Sequence, residues 1–319
     1  MDRNLALEFV RVTEAAAIAS ARWMGRGDKM AADQAAVDMM RARFNNIDFS
    51  GTVIIGEGEK DEAPELFIGE KLGNNKGVEL DIALDPLECT DSVANGVPNA
   101  MSVVATGTKG SLFHAPDMYM DKIACGPKAK GVISLDFSVE ENLKNVAQKL
   151  GKEVDETVVI VLDRPRHADL IKKIRAAGAR VRLISDGDVA GAIAPSIWDS
   201  GIDMLMGVGA SAEAVLASIA IKCLGGDFQA RLAPKDDVQI QRLKDIGIDD
   251  YKKILTIEDL AKGRDLTFTA TGVIDGPMLK GVRYTSHYCI THSVVMRVHS
   301  GTVRFMETMH RLDDEFYGR

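Results

Sequence analysis

Between residues 139 and 224 the sequence alternates helical patterns with short apolar runs, and nothing else in the chain constrains the fold as tightly. A helix over 139–150 leads to Thr157-Val-Val-Ile-Val-Leu162, long enough for a buried strand and too short for a helix. A helix over 166–177 stops at Gly178, and Arg180–Ile184 is the next strand. A helix over 188–194, a strand at Asp203–Met206 and a helix at Ser211–Leu224 complete the series. This rhythm predicts a parallel, doubly wound layer with helices packed on a sheet.

The first third reads differently. Leu5, Phe9, Val12, Ala16 and Ala19 recur at helical spacing within 4–23, and Gly25 and Gly27 end that pattern. A second helix is expected from Asp33 to about Phe44, a strand at Gly51–Gly56, a helix near Ala63–Leu72 and a strand at Glu79–Leu84. Runs near 101–106, 110–113 and 121–125, with turn residues between them, suggest a small antiparallel meander. Beyond residue 225 the strand candidates are 266–271 and 288–298. The expected fold class is therefore α/β, with a mixed-sheet N-terminal half, a doubly wound C-terminal half and a boundary near 136–140.

Composition narrows the function. With 39 basic and 47 acidic residues in 319, the formal charge is −8, which argues against a phosphate-backbone binder and hence against nucleic acid as partner. Cys89, Cys125, Cys223 and Cys289 are widely separated, which fits neither a disulfide framework nor zinc-finger spacing. The longest nearly apolar stretch, Met204–Ile221, contains Glu213 and is a poor membrane span. The N-terminus lacks the apolar core of a signal peptide, so a soluble cytoplasmic protein with no membrane partner is expected.

The acids carry the chemistry. Thr52–Ile55 runs into Gly56-Glu57-Gly58-Glu59, Asp81–Leu84 into Asp85-Pro86-Leu87-Glu88-Cys89-Thr90, and Met204–Met206 into Gly207-Val-Gly209-Ala-Ser-Ala-Glu213. In open α/β layers, ligand sites collect beyond the carboxyl ends of strands, so acids distant in sequence can converge there. Convergent carboxylates need protons or cations to neutralise them, and an oxygen-only donor set suits Mg2+ and Mn2+. Glu213, in otherwise apolar surroundings, needs a metal, an arginine or a helix N-terminus to offset its charge. Each acid also has a plain structural reading. Glu57 and Glu59 could be solvated turn acids, Asp85 a turn acid before proline, and Glu213 a cap on its own helix. Lys29 and the Arg164-Pro165-Arg166 turn stand where the chain enters helices, and the two arginines could grip one phosphate. Asp186-Gly187-Asp188 could bind sugar hydroxyls, or Asp186 could cap a helix.

Asp85-Pro86-Leu87-Glu88-Cys89-Thr90 resembles the Asp-Pro-hydrophobic-acid-Gly-Thr signature of the lithium-sensitive, metal-dependent phosphomonoesterases. A closer resemblance is to the class II, GlpX-type fructose-1,6-bisphosphatases of bacteria. It is carried by Arg11-Val-Thr-Glu-Ala-Ala16, Gly25-Arg-Gly-Asp-Lys29, Ile55-Gly-Glu-Gly-Glu59 and Asp61-Glu-Ala-Pro64. It continues through His114-Ala-Pro-Asp-Met-Tyr-Met120, Arg164-Pro-Arg-His167, Asp186-Gly-Asp188 and Ala270-Thr-Gly272, nearly the whole chain. The resemblance implies a layered α-β-α-β-α sugar-phosphatase fold with an N-terminal metal-binding region (1–138), a C-terminal substrate-binding region (139–319) and the site at their junction. It implies that Asp33, Glu57, Asp85, Glu88 and Glu213 ligate Mn2+ or Mg2+. Substrate contacts are implied at Glu88, Cys89, Thr90, Tyr119, Arg164, Pro165, Arg166, Asp186, Gly187, Asp188 and Ala210. Asp61 and Thr90 would position or deprotonate the attacking water, and Lys29 would add a cation near the scissile phosphate.

The implied reaction is hydrolysis of the 1-phosphate of fructose 1,6-bisphosphate by in-line attack of a metal-bound water, in a homodimer or homotetramer. Alternatives are a bifunctional fructose/sedoheptulose bisphosphatase and a non-catalytic sugar-phosphate sensor. Cys89 and Ala210 replace family glycines, and Ala212 replaces a family proline. A side chain at 89 would be strained if that glycine has positive φ. The Ser185-Asp186-Gly187-Asp188 run also imitates the motif of aspartyl-phosphate enzymes, and Gly207-Val-Gly209 lacks the third glycine of the dinucleotide fingerprint. His287, His292 and His299 lack a metal-ligand spacing and read as structural.

Overall fold

A computed structural model describes residues 5–58 and 65–311. In chain order, α1 (Leu5–Ala21), α2 (Lys29–Phe44), β1 (Ser50–Ile55), β2 (Lys71–Leu72), β3 (Glu79–Glu88), α3 (Thr90–Asn95) and β4 (Ala100–Thr108) come first. Then follow β5 (Tyr119–Cys125), α4 (Val139–Leu150), β6 (Val158–Leu162), α5 (Ala168–Ala176), β7 (Arg180–Ile184), α6 (Asp188–Ile193), β8 (Met204–Ala210) and α7 (Ser211–Leu224). The remainder is β9 (Asp227–Leu232), α8 (Asp237–Asp245), β10 (Leu255–Thr256), α9 (Ile257–Leu260), β11 (Thr267–Ile274), β12 (Arg283–Tyr284), β13 (Tyr288–Arg297) and β14 (Thr302–Arg311). No helix among the described residues is long and apolar enough to cross a membrane.

The chain forms two compact units, Met1–Gly110 with Asp265–Arg319, and Ser111–Arg264. In the first, a mixed sheet runs β12-β13-β11-β4-β3-β1-β2, with β14 on the other side of β13. Among the described residues of this sheet, only the β1–β3 pair is parallel. Phe9, Val12 and Ile18 of α1 and Val37, Met40 and Phe44 of α2 share one core with Val53, Ile82, Leu84 and Val104 of the sheet. Phe9, Phe44 and Phe49 meet at its centre with ring centroids 5.5–6.2 Å apart, a spacing that favours edge-on aromatic packing. α2 begins at Lys29, four residues before the expected start, because the Asp28 side chain accepts the Ala31 amide at 3.0 Å and caps it. Asp33 therefore lies one turn inside the helix.

The second unit has a six-stranded sheet in the order β10-β9-β5-β8-β6-β7. β6 pairs in parallel with both β7 and β8, as the alternating pattern predicts. Val159, Val161, Met204 and Met206 join the core formed with α4 and α5. Ile160, Ile184 and Leu205 instead line the spot where Gly191 of α6 approaches the sheet. Helices thus cover both faces, the doubly wound arrangement.

Four expectations are corrected. The layer is not wholly parallel, because β5 inserts between β8 and β9 and runs antiparallel to both. The antiparallel meander is absent: β4 pairs with β3 and β11, while β5 lies in the other sheet, and near 110–113 there is only an isolated bridge from Leu112 to Ala261. No helix occupies 65–72, where turns precede the short strand β2; residues 63 and 64 lie outside the described residues. The boundary expected near 136–140 falls inside the second unit, between β5 and α4. Sequence rhythm changes there, but strand pairing divides the chain earlier.

Candidate active site

In the first unit the carboxylates lie on α2, after β1 and at the end of β3. β3 continues past the expected end at Leu84 to Glu88, with an irregularity between Asp85 and Glu88 that accommodates Pro86. Asp85 accepts the Leu87 amide at 3.0 Å, the short-range turn bond its position before proline suggested. Glu88 is buried. Gly56 leads into Glu57, and a Cβ at Gly56 would run into the Leu66 carbonyl oxygen, so the turn after β1 requires glycine. Burial, reinforced by neighbouring Asp33, pushes the Glu57 carboxyl up to about 7, and burial raises Asp33 as well. Glu57 is half-buried. Glu59 and Asp61 lie outside the described residues.

Cys89 stands in the left-handed region at φ +72°, immediately before α3, whose first residue is Thr90. The strain foreseen for a side chain at this position is thus present, on the order of 1–2 kcal/mol. The Gly25 and Gly27 amides donate to the Val93 and Ala94 carbonyls at 2.9 Å, which fastens the loop before α2 to α3. Lys29 lies 3.3 Å from Asp91 on that exposed face, next to Thr90. Lys29, Thr90 and Cys89 are thereby gathered at two adjoining helix starts.

In the second unit the carboxyl ends of β6, β7 and β8 point to one edge and deliver Arg164–Arg166, Asp186–Asp188 and Ala210–Glu213. The antiparallel strand β5 starts at that edge, where Tyr119 is the register partner of Ala210. Arg166 donates Nε and Nη2 to the Val208 carbonyl at 3.1 and 2.9 Å and lays its guanidinium 4.8 Å from the Tyr119 ring centre. Arg164 is 3.9 Å from Asp186, so the two arginines are held by different partners. Asp186 directly precedes Gly187, the N-cap residue of α6. The Asp186 carboxylate accepts the Gly187 amide at 3.1 Å, and Gly187 takes the left-handed conformation at φ +93°.

Lys122 lies at the centre of this edge, and no sequence signal marked it. It is buried on β5, opposite Gly207, and pairs with the buried Asp188. A Cβ at Gly209 would collide with that pair, which explains a glycine in the middle of an apolar strand. Burial raises the Glu213 carboxyl, nearby Lys122 opposes the shift, and Asp188 and Asp186 add to it. Its Oε2 atom is shut off from water and accepts no hydrogen bond among the described residues. His167, which closes the Arg164-Pro165-Arg166 motif, has a positioning role that its place in the sequence did not reveal. Its Nε2 accepts the Val208 amide at 2.7 Å and Nδ1 donates to the Leu162 carbonyl at 2.7 Å, tying the ends of β6 and β8 together.

Oxygen is the only donor type offered by the acids proposed from the sequence. A raised carboxyl pair such as Asp33 and Glu57, and a buried oxygen without a donor on Glu213, suit a hard divalent cation. Among the described residues no three His, Cys, Asp or Glu side chains already converge at ligating distance. Two of the histidines read as structural have such roles. His292 stacks on Phe305 and accepts the Lys280 amide, and His299 lies 3.5 Å from Asp265.

A raised carboxyl leaves a pH signature. Between the ordinary glutamate value and about 7, folded Glu57 keeps a proton that the unfolded chain has lost. The folded state then binds more protons, so this group lowers stability as pH rises. In chelator, urea unfolding should therefore show Glu57→Gln losing less stability than the unsubstituted chain between pH 5 and pH 8. Parallel pH profiles for the two proteins would remove Glu57 as the cause. Added Mn2+ should restore the midpoint at pH 8, because a cation replaces the proton.

Residues 3–310 match the family described as bacterial fructose-1,6-bisphosphatase, glpX-encoded. A protein of Synechococcus sp. (strain JA-3-3Ab) named D-fructose 1,6-bisphosphatase class 2/sedoheptulose 1,7-bisphosphatase is 44% identical, over 99% of this chain and 98% of its own. A Haemophilus influenzae protein named fructose-1,6-bisphosphatase class 2 is also 44% identical, over 98% of each chain. A solved structure described as an extragenic suppressor from Pyrococcus furiosus is 13% identical, covering 59% of this chain and 66% of its own. Its TM-score of 0.29 is too low to bear on the fold. Agreement of this kind from one end of the chain to the other places it in the bacterial, glpX-encoded fructose-1,6-bisphosphatase family.

Proposed function

We propose that this chain hydrolyses the 1-phosphate of fructose 1,6-bisphosphate, giving fructose 6-phosphate and phosphate. The observation that carries this reading is 44% identity, across nearly the whole chain, to relatives named fructose-1,6-bisphosphatase class 2. We further propose membership of the lithium-sensitive phosphatase superfamily, with its layered α-β-α-β-α fold, and assembly into a homodimer or homotetramer. The ligands proposed for Mn2+ or Mg2+ are Asp33, Glu57, Asp85 and Glu88 of the first unit and Glu213 of the second. Bound there, a divalent cation supplies charge neutralisation at phosphate oxygens and acidifies water.

The chain's own residues bind and orient the substrate. Arg164, Pro165 and Arg166 hold the phosphate that does not react, and its binding energy positions the one that does. Tyr119, Ala210 and Asp186–Asp188 line the sugar, with Asp188 oriented by its pair with Lys122. Glu88, Cys89 and Thr90 contact the reacting end. Thr90 and Asp61 position the water and take its proton, and Lys29 adds positive charge near the scissile phosphate. Sedoheptulose 1,7-bisphosphate is a second candidate substrate, favoured by the double name of the Synechococcus relatives. A sugar-phosphate sensor is the remaining reading, and the strained Cys89 is the feature that favours it.

The test is phosphate release by chelator-stripped protein as Mn2+ or Mg2+ is returned. Fructose 1,6-bisphosphate runs beside sedoheptulose 1,7-bisphosphate, inositol monophosphate and fructose 6-phosphate. Metal-dependent release from fructose 1,6-bisphosphate, lost by at least about a hundredfold in Asp85→Asn, is expected. Full activity in that variant would remove Asp85 from the site. Release from none of the four by folded, reduced protein would favour the sensor. Cys89→Gly removes a strained side chain next to Thr90. It should raise kcat and leave Mn2+ affinity within about twofold, as expected of a residue that is not a ligand. A lower or unchanged kcat would show that the strain does not limit turnover.

A further inference from the structure

The edge that carries Tyr119 and Arg166 receives one more cation, which neither the strand-end acids nor the family resemblance singled out. β8 and β9 both run antiparallel to β5, so β9 ends where β8 ends. The chain leaving Leu232 passes through Ala233 and Pro234 to Lys235. Its backbone is held on both sides. The Ala233 amide donates to the Tyr119 carbonyl at 2.9 Å, and the Lys235 amide donates to Gln239 Oε1 at 2.8 Å. The Gln239 amide in turn donates to the Asp236 carboxylate at 2.9 Å, capping α8 and keeping that acid occupied.

The Lys235 ammonium lies 5.2 Å from the Tyr119 ring centre, and the Arg166 guanidinium lies 4.8 Å from the same centre. An aromatic face attracts each cation, but two cations sharing one ring repel each other. Among the described residues no carboxylate forms an ion pair with Lys235 or Arg166. A dianion bound between them would offset that repulsion, and a phosphoryl group has the oxygens to accept from both.

We infer that Lys235 is a specificity residue that, together with Arg166, takes the non-reacting phosphate of a phosphorylated sugar. The inference rests on the sugar-phosphate reading of this edge, whose failure has a separate signature in the experiment. Fructose 6-phosphate carries only the non-reacting phosphate, so its binding is measured by calorimetry and needs no turnover. Lys235→Gln should weaken that binding about tenfold or more, the loss of one charge-assisted hydrogen bond, and Lys235→Arg should restore it to within about threefold. In steady state, Lys235→Gln should raise KM for fructose 1,6-bisphosphate with kcat within about twofold, the pattern of lost uniform binding. Its kcat/KM on fructose 1-phosphate, which lacks that group, should not change.

Equal fructose 6-phosphate binding by Lys235→Gln and the unsubstituted protein would overturn the inference. So would equal losses on the two 1-phosphates, or no fructose 6-phosphate binding by the unsubstituted protein. Weakened binding in Lys235→Gln, with no hydrolysis by the unsubstituted protein, would sink the bisphosphatase reading and leave Lys235 in place.

Discussion

A carboxylate taken out of water must be given a countercharge or a proton, and both units of this protein are built around that constraint. In the second unit the countercharge is Lys122. Its ammonium is buried in the sheet beside Asp188, and its field opposes the burial that raises Glu213. Much of the local sequence follows from accommodating it. Gly209 lacks a side chain because Asp188 and Lys122 fill the space, and Gly187 takes a left-handed turn that starts α6 at Asp188. In the first unit burial and neighbouring Asp33 act together on Glu57, and the response is a carboxyl held near 7. The two units thus show the two ways of meeting one electrostatic requirement.

A second constraint is directional. Parallel strands discharge their following loops at one edge, and in the second unit β6, β7 and β8 do so with a basic turn, an acidic turn and a helix start. The inserted strand β5 runs the other way and so begins, with Tyr119, where the others end. This inserted strand brings an aromatic ring to Arg166 and places β9, with Lys235 after it, on the same edge. His167 then fastens two of the strand ends through one imidazole.

Among the described residues, Cys89 is one of five non-glycine residues in the left-handed region, with Leu66, Asn75, Asn99 and Asp199. Cys89 holds a left-handed conformation between Glu88 and Thr90. The surrounding packing imposes this, since Cys89 is buried in the same core as Leu87 and Val93.

What the sequence by itself determined is whatever depends on local order. The helix–strand alternation from 139 to 224, the glycine-flanked acids and the Arg164-Pro165-Arg166 turn were legible, because periodicity and turn chemistry are properties of neighbouring residues. The family likeness was legible for the same reason, in short motifs such as Ile55–Glu59 and Arg164–His167. Pairing was not. β4 and β5 read as neighbours in one meander, yet β4 pairs with β11, where Ala100 meets Ile274, and β5 lies in another sheet. The stretch 65–72 looked helical because apolar spacing alone does not separate a helix from turns leading into a short edge strand. Lys122 and Lys235 carried no signal, since a lysine's role here depends on which strand lies opposite and where that strand ends. Only the tertiary structure decided that, because the energy of a charge is set by its neighbours in space.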